Sequence, residues 1–326
     1  MAKSSYFLRQ QWCLAFLIGR REDHLLYTSR KHRAVHQLIH SPLGILVIAS
    51  SIIEVSGPLE LPVRGCLGDD PADIVRSLQE LSKREARSGY FDLLSSERLS
   101  ELVVYCGVDL TPYRNEYLQQ VEALLAYGSA LRHFAAQLLE APGTANWFVD
   151  LDRRQQEWVS SKNCAPEVSS FHPDLRSHGS GITKPRYAFW TTTSVGECLS
   201  GWLHYLRWGE ALREPPYYRW RLEVLPTARV YEVHGPQDWH TLCLAYPASS
   251  RLAYGKVPLE TLIEPNWQAV AEDWDGIHLS VGGLLTAERV RWGIPGTQTH
   301  LFGWDVESTV WLHWVFGHIE RLPDVG

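Results

Sequence analysis

The stretch Trp304-Asp305-Val306-Glu307-Ser308-Thr309 places two carboxylates two residues apart in an apolar and aromatic run that continues through Val310-Trp311-Leu312-His313-Trp314. On a β-strand this spacing puts Asp305 and Glu307 on one face with Val306 opposite. Burial and mutual repulsion raise the pKa of one member of such a pair. One carboxylate can then steady a developing oxocarbenium ion while the other orients or deprotonates a nucleophile, the division of labour seen in glycoside cleavage. The plain alternative is an exposed strand face with two solvated acids, the usual fate of charged residues.

Two further constellations lie upstream. Phe189-Trp190-Thr191-Thr192-Thr193-Ser194 is an aromatic strand running into four hydroxyl residues. Thr192 and Ser194 share a face if the strand continues, positioned to hydrogen-bond a carboxylate or a ligand, and Ser194 suits the N-cap of a helix starting near Val195. The segment from Phe171 to Gly181 is a Gly/Ser loop carrying His172, Arg176 and His178. The planar fork of Arg176 suits a diphosphate, and Gly/Ser backbone lets a ligand approach closely. Set against these are threonines that are only good strand formers, a serine that is only a cap, and a flexible surface loop.

Composition narrows the class. The chain has 326 residues, 21% of them charged, and a net charge of −6, so it is neither disordered nor a globally basic nucleic-acid binder. Arg outnumbers Lys about four to one, which keeps a local phosphate-binding stripe open. The candidate stripe is Arg207, Arg213, Arg219 and Arg221 interleaved with Trp208, Tyr217, Tyr218 and Trp220. It reads either as a single-stranded nucleic-acid surface or as an ordinary strand packing its aromatics into a core. The six cysteines show no C-x-x-C spacing, so no zinc site is expected and the thiols suit a reducing compartment. The apolar stretch Trp12–Ile18 is too short for a bilayer, and Ser50, Ser51 and Glu54 interrupt Ile45–Val55. The expectation is a cytoplasmic, soluble chain that does not cross a membrane.

Tryptophan marks the organisation of the chain. Trp12 is alone in the first 146 residues, and the other 13 fall between Trp147 and Trp314. The change coincides with Ala141-Pro142-Gly143-Thr144, which reads as a helix stop. Two regions follow from this, 1–145 as an accessory region and 146–326 as the region carrying the chemistry. In the first, Gly44–Ala49 reads as a buried strand. Ala72–Ala86, Glu97–Cys106 and Tyr113–Leu139 read as helices, the last kinked or split at Gly128. In the second, strands are expected at Tyr187–Thr193, Tyr218–Leu225, Ala228–Val233, Gly276–Ser280 and Val306–Phe316. Helices are expected at Asp152–Ser160, Val195–Trp208 and Trp267–Asp273. The fold class is α+β, a smaller, mostly helical α/β region followed by short mixed strands. No dinucleotide-binding Gly-rich turn or phosphate loop occurs.

The order of the pieces is the Arg-bearing Gly/Ser loop, F-W-T-T-T-S, W-D-G-I-H-L at Trp274–Leu279, then G-W-D-V-E-S-T-V-W-L-H-W at Gly303–Trp314. It resembles bacterial toxin-like mono-ADP-ribosyltransferases, whose pattern is Arg, Ser-Thr-Ser, then Glu-x-Glu or Gln-x-Glu. The resemblance covers roughly residues 147–318 and implies a split pair of β-sheets gripping NAD in the cleft between them. Carried over, Glu307 is the catalytic glutamate at the nicotinamide ribose, and Asp305 positions the acceptor, one methylene shorter than the usual Glu or Gln. Thr191, Thr192, Thr193 and Ser194 stand for the Ser-Thr-Ser strand. The strand before them has no arginine, so Arg176 and then Arg186 are the phosphate contacts, with His172 as an alternative on that strand. Trp190 or Trp304 would stack on nicotinamide or adenine. The implied activity is cleavage of NAD and transfer of ADP-ribose to a protein or nucleic-acid acceptor. The setting is that of toxins, effectors, or toxin–antitoxin and phage-defence systems, with an antitoxin as neutralising partner. The alternative is a catalytically inactive, aromatic-rich binding scaffold.

Overall fold

The computed structural model describes residues 23–56, 71–85, 88–109, 117–177, 182–194, 200–208, 217–252 and 260–324. The apolar stretch at 12–18, His178 with the glycines of its loop, the expected helix start at 195–199, and Arg213 lie outside the described residues. So do the side chains of Arg207 and Trp208.

The N-terminal region is helical: α1 (Asp23–Ile39), α2 (Pro42–Ser56), α3 (Pro71–Ser82), α4 (Ser96–Asp109), α5 (Tyr117–Tyr127) and α6 (Arg132–Leu138). Gly44–Ala49, expected as a strand, lies inside α2. An unbroken apolar run fits a helix buried on every side as well as it fits a buried strand. Here Ser41 decides it, because its Oγ accepts the Gly44 N–H and Pro42 takes the first helical position. Ile45, Leu46, Val47, Ile48, Ala49 and Ile52 are then all buried. The expected long helix does break at Gly128. A Cβ there would stand 1.8 Å from the Ile39 carbonyl oxygen, so α1 crosses too closely for any other residue, and a 3₁₀ turn separates α5 from α6.

The second region is built on a seven-stranded sheet. Its strands are β1 (Gln156–Ser160), β4 (Phe189–Thr193), β5 (Tyr218–Val224), β6 (Val230–Val233), β9 (Gly276–Leu279), β12 (Ser308–Trp311) and β13 (Phe316–Arg321), in the order β13-β5-β1-β4-β12-β9-β6. A hairpin of β2 (Asp174–Ser177) with β3 (Pro185–Tyr187) stands apart. A four-stranded sheet is formed by β7 (Pro247–Leu252), β8 (Glu260–Pro265), β10 (Arg291–Trp292) and β11 (Thr299–His300). The helices of this region are α7 (Gly201–Trp208), α8 (Pro236–Ala245), α9 (Trp267–Asp273) and α10 (Val281–Ala287). The fold is α+β with several mixed sheets.

Three expectations for this region are corrected. Asp152–Ser160 is not a helix: its Gln and Glu residues favour one intrinsically, but Gln156 and Glu157 are fully buried between β4 and β5, and tertiary pairing wins over propensity. The single strand Val306–Phe316 is two, with β12 central and β13 at the edge. Tyr187–Thr193 is likewise divided between β3 and β4.

The large sheet parts at β4. Phe189, Trp190 and Thr191 pair with β12, whereas Thr192 and Thr193 pair with β1. At the end of β4 the β12 side therefore has no strand, and that gap is where the candidate site forms.

The composition change at Trp147 marks a change of architecture within one core. A continuous apolar cluster joins Leu38, Ile48, Val103 and Phe134 to Trp239, Ile277, Leu284 and Val310. The Ser41 hydroxyl also donates to the Leu285 carbonyl across the boundary. No single described helix is long and apolar enough to cross a membrane. Among the described residues one helix pair is apolar enough in combination, Lys31–Ile39 with Pro42–Val55, and it is bent by 94°.

Candidate active site

Glu307 occupies the gap beside β4. Gly303, with φ +87, turns the chain toward it, and β12 does not begin until Ser308, so residues 304–307 approach as a bend. The Glu307 carboxylate receives the Thr192 hydroxyl on Oε2 at 2.6 Å and the Thr193 hydroxyl on Oε1 at 2.9 Å. The Thr193 N–H also donates to Oε2 at 3.0 Å. That N–H is free to do so because β12 does not extend this far along β4.

A histidine completes the ring of donors. His278, on β9, lies 3.2 Å by Nε2 from Glu307 Oε1 and 2.5 Å by Nδ1 from Glu232 Oε2 on β6. Glu232 is its direct partner in the parallel β6–β9 ladder, and its other oxygen accepts the Leu151 N–H. Burial works against a charged imidazolium, but the hydrogen bonds and charges of the two carboxylates outweigh it and raise His278 from 6.5 to about 9. Burial likewise works against the Glu307 anion. His278, Thr192 and Thr193 outweigh it and hold that carboxyl below its ordinary value. The site thus keeps an ionised, almost buried carboxylate at neutral pH.

The signs of these shifts set a pH window. The stabilisation from His278 is fully present below 6.5 and lost as pH rises through about 9; that from Glu307 is present above the ordinary carboxylate range and lost on acidification. We expect His278→Gln to lower turnover roughly 10- to 100-fold, since a hydrogen bond to a charged group contributes about 1.5–3 kcal/mol. Wild-type activity should fall as pH rises through about 9, and the variant should lack that limb. A pH–rate profile of both proteins checks it; an unchanged alkaline limb in a folded variant would exclude His278 as its source.

Behind the hydroxyls a second network fixes β4. Glu157 on β1 is wholly buried and accepts two hydrogen bonds from the Arg219 fork, at 2.8 and 2.9 Å. It also accepts the hydroxyls of Ser194 at 2.6 Å and Ser200 at 2.9 Å. The same carboxylate therefore pins the end of β4 and the residue just before α7. Gln156 does the parallel job on the other face. It accepts from Thr191 Oγ1 at 2.6 Å and donates to Thr193 Oγ1 at 3.1 Å.

Glu307 and His278 open onto a cavity of about 350 Å³. Thr193, Ser194, Gly201 and Ser280 line it from the sheet side, with Asn146, Trp147, Val149, Asp150, Asp152 and Gln155 from the segment before β1. Its remaining wall comes from the N-terminal region: Ser96, Ser100, Val103 and Val104 project from one face of α4. Among the described lining residues three are carboxylates, Asp150, Asp152 and Glu307, and none is Arg or Lys. The lining residue Asp150, together with Glu232 and His234, forms a group whose ligand-type atoms, one from each, lie within 4.8 Å of one another. His234 is already bonded on both ring nitrogens, to Asp150 and to Ser280.

The remaining residues singled out from the sequence stand elsewhere. Asp305 does not share a strand face with Glu307; its carboxylate pairs with Lys184 at 3.5 Å and is not among the cavity's lining residues. Arg176 is exposed and closed onto Asp174, two residues away on the same strand. Arg186 is exposed over the Tyr187 ring, and His172 is exposed as well. Trp190 packs edge-on against buried Trp304 and beneath the Lys184 ammonium, which leaves both rings in structural roles. The arginine stripe dissolves on β5, where Trp220 is core, Arg219 serves Glu157 and Arg221 pairs with Glu320. The sequence reading did not single out His278, Glu232, Glu157, Gln156 or the α4 serines. Only His278 carried a signal, a lone imidazole inside the apolar Ile277-His278-Leu279 strand. No family model, curated protein or solved structure matches the chain.

Proposed function

We propose that the chain cleaves NAD at the nicotinamide N-glycosidic bond and passes ADP-ribose to an acceptor. The observation that carries this reading is Glu307, an ionised carboxylate locked by Thr192, Thr193 and His278 on the wall of a ligand-sized cavity. A fixed anion there stabilises positive charge developing at the ribose C1′ and gains nothing from a neutral ground state, which is how such a group lowers a barrier. Two sequence motifs distant in the chain, the hydroxyl run and the Glu307 segment, meet in this one contact. The toxin-like ADP-ribosyltransferase resemblance implies a split two-sheet architecture, and in its support β4 pairs with β12 along one half and with β1 along the other.

The acidic lining orients the substrate. The almost buried Glu307 attracts the cationic nicotinamide ring and repels a diphosphate, so the pyridinium riboside end enters. The resemblance implies a protein or nucleic-acid acceptor in a toxin, effector or phage-defence setting, with an antitoxin as partner. The test is incubation of the purified chain with NAD and measurement of nicotinamide release. The competing reading, an inactive aromatic-rich scaffold, draws on the absence of Arg and Lys among the described lining residues. A folded chain that neither releases nicotinamide nor binds NAD would establish it.

A further inference from the structure

We infer that the acceptor is water, and that the chain is a hydrolase yielding nicotinamide and free ADP-ribose. This rests on the NAD-cleaving reading and adds the identity of the nucleophile. Two observations carry it.

The first is the wall that α4 sets over the reaction chamber. Ser96, Ser100, Val103 and Val104 face Glu307 across the cavity, and α4 is not a detachable flap. Its neighbouring flank enters the common core through Leu99 and Cys106. Arg98 clamps it to α2 with two hydrogen bonds to Glu54, at 2.8 and 2.9 Å. The helix also packs on α7, next to the residues that Glu157 holds. A volume of about 350 Å³ lies at the small end of small-molecule sites. Once a pyridinium riboside is seated, the space left beneath α4 suits a water better than a protein side chain with its backbone or a base with its sugar.

The second is the position of Asp305. The resemblance implies a residue two before the glutamate that positions the incoming acceptor. Here that residue faces Lys184, with buried Val306 between it and Glu307. The acids that do face the chamber besides Glu307 are Asp150 and Asp152. The C1′–N bond breaks and its electron pair leaves with nicotinamide. The water oxygen bonds to C1′, and its proton departs through a lining carboxylate to solvent. The balance is NAD⁺ plus water giving nicotinamide, ADP-ribose and one proton.

The test is product partition. The full chain is incubated with NAD labelled in its adenylate half, alone and with cell lysate. Nicotinamide, free ADP-ribose, and label in protein, RNA and DNA fractions are then quantified. The expected result is free ADP-ribose equal to nicotinamide mole for mole, unchanged by lysate. Label accumulating on any macromolecular fraction in place of free ADP-ribose overturns the hydrolysis inference alone. Absence of nicotinamide release overturns the NAD-cleaving reading itself. Ser100→Trp, filling the chamber from α4, should lower nicotinamide release by about 10²-fold, the scale of a displaced reacting group. Undiminished release in that variant would show that the chamber under α4 is not where the reaction occurs.

Discussion

Glu307→Gln should yield a folded chain whose nicotinamide release is reduced roughly 10²- to 10³-fold, the effect of deleting one electrostatic group aimed at the transition state. The substitution conserves shape, so the bend at 304–307 and the start of β12 are retained. What changes is charge and polarity. The carboxylate receives donors on both oxygens: Thr192 and the Thr193 N–H on Oε2, Thr193 Oγ1 and His278 on Oε1. Whichever way a Gln amide is turned, its NH₂ meets the Thr193 N–H, which donates to Oε2 at 3.0 Å and to Oε1 at 3.3 Å. The hydroxyls can rotate to accept, but the backbone N–H cannot. Removing the charge also leaves His278 paired with Glu232 alone, so its pKa should come down from about 9 and the alkaline limb of activity should move to lower pH. Nicotinamide release and thermal melting, measured together, check the outcome. Near wild-type turnover in a well-folded Glu307→Gln chain would remove Glu307 from the active site.

Parts of this site were legible in the residues because they depend on short-range rules. A hydroxyl run at the end of an aromatic strand and a carboxylate in an apolar segment are both unusual, and both end up in one contact. The separation of Asp305 from Glu307 was not legible, because the two-residue periodicity holds only inside a strand and β12 begins at Ser308, after both residues. His278 and Glu232 were obscured for a different reason. Each is a single polar residue in an apolar strand, and their separations of 29 residues from Glu307 to His278 and 46 from His278 to Glu232 leave no local pattern. Only the parallel pairing of β6 with β9 brings them together. At fold level, α2 shows that periodicity does not separate a buried helix from a buried strand. The N-terminal region presents a related lesson. Its composition differs from the rest of the chain, yet α4 supplies a wall of the cavity and the core is continuous, because burial depends on which faces meet and not on where tryptophan is concentrated.

The buried Glu157–Arg219 pair leads to the largest expected change in stability. Removing one member of a buried ion pair leaves the other charge uncompensated and typically costs about 3–5 kcal/mol. Arg219→Met does this to Glu157, whose side chain is 0% exposed and which, among the described residues, keeps the Ser194 and Ser200 hydroxyls as donors. The melting temperature should fall on the order of 10 °C. The double variant Glu157→Leu, Arg219→Met should recover part of that loss, because an apolar pair of similar volume needs no compensation. Recovery stays incomplete because the Ser194 and Ser200 hydroxyls lose their acceptor. Turnover should respond differently from stability. Both variants free the end of β4, where Thr192 and Thr193 hold Glu307, so nicotinamide release stays low in the double variant even as its melting temperature rises. Stability and activity recovering together would mean that the ion pair only offsets its own burial. A persistent loss of turnover in the restabilised chain assigns Glu157 to positioning the hydroxyl strand, one step removed from the reacting atoms.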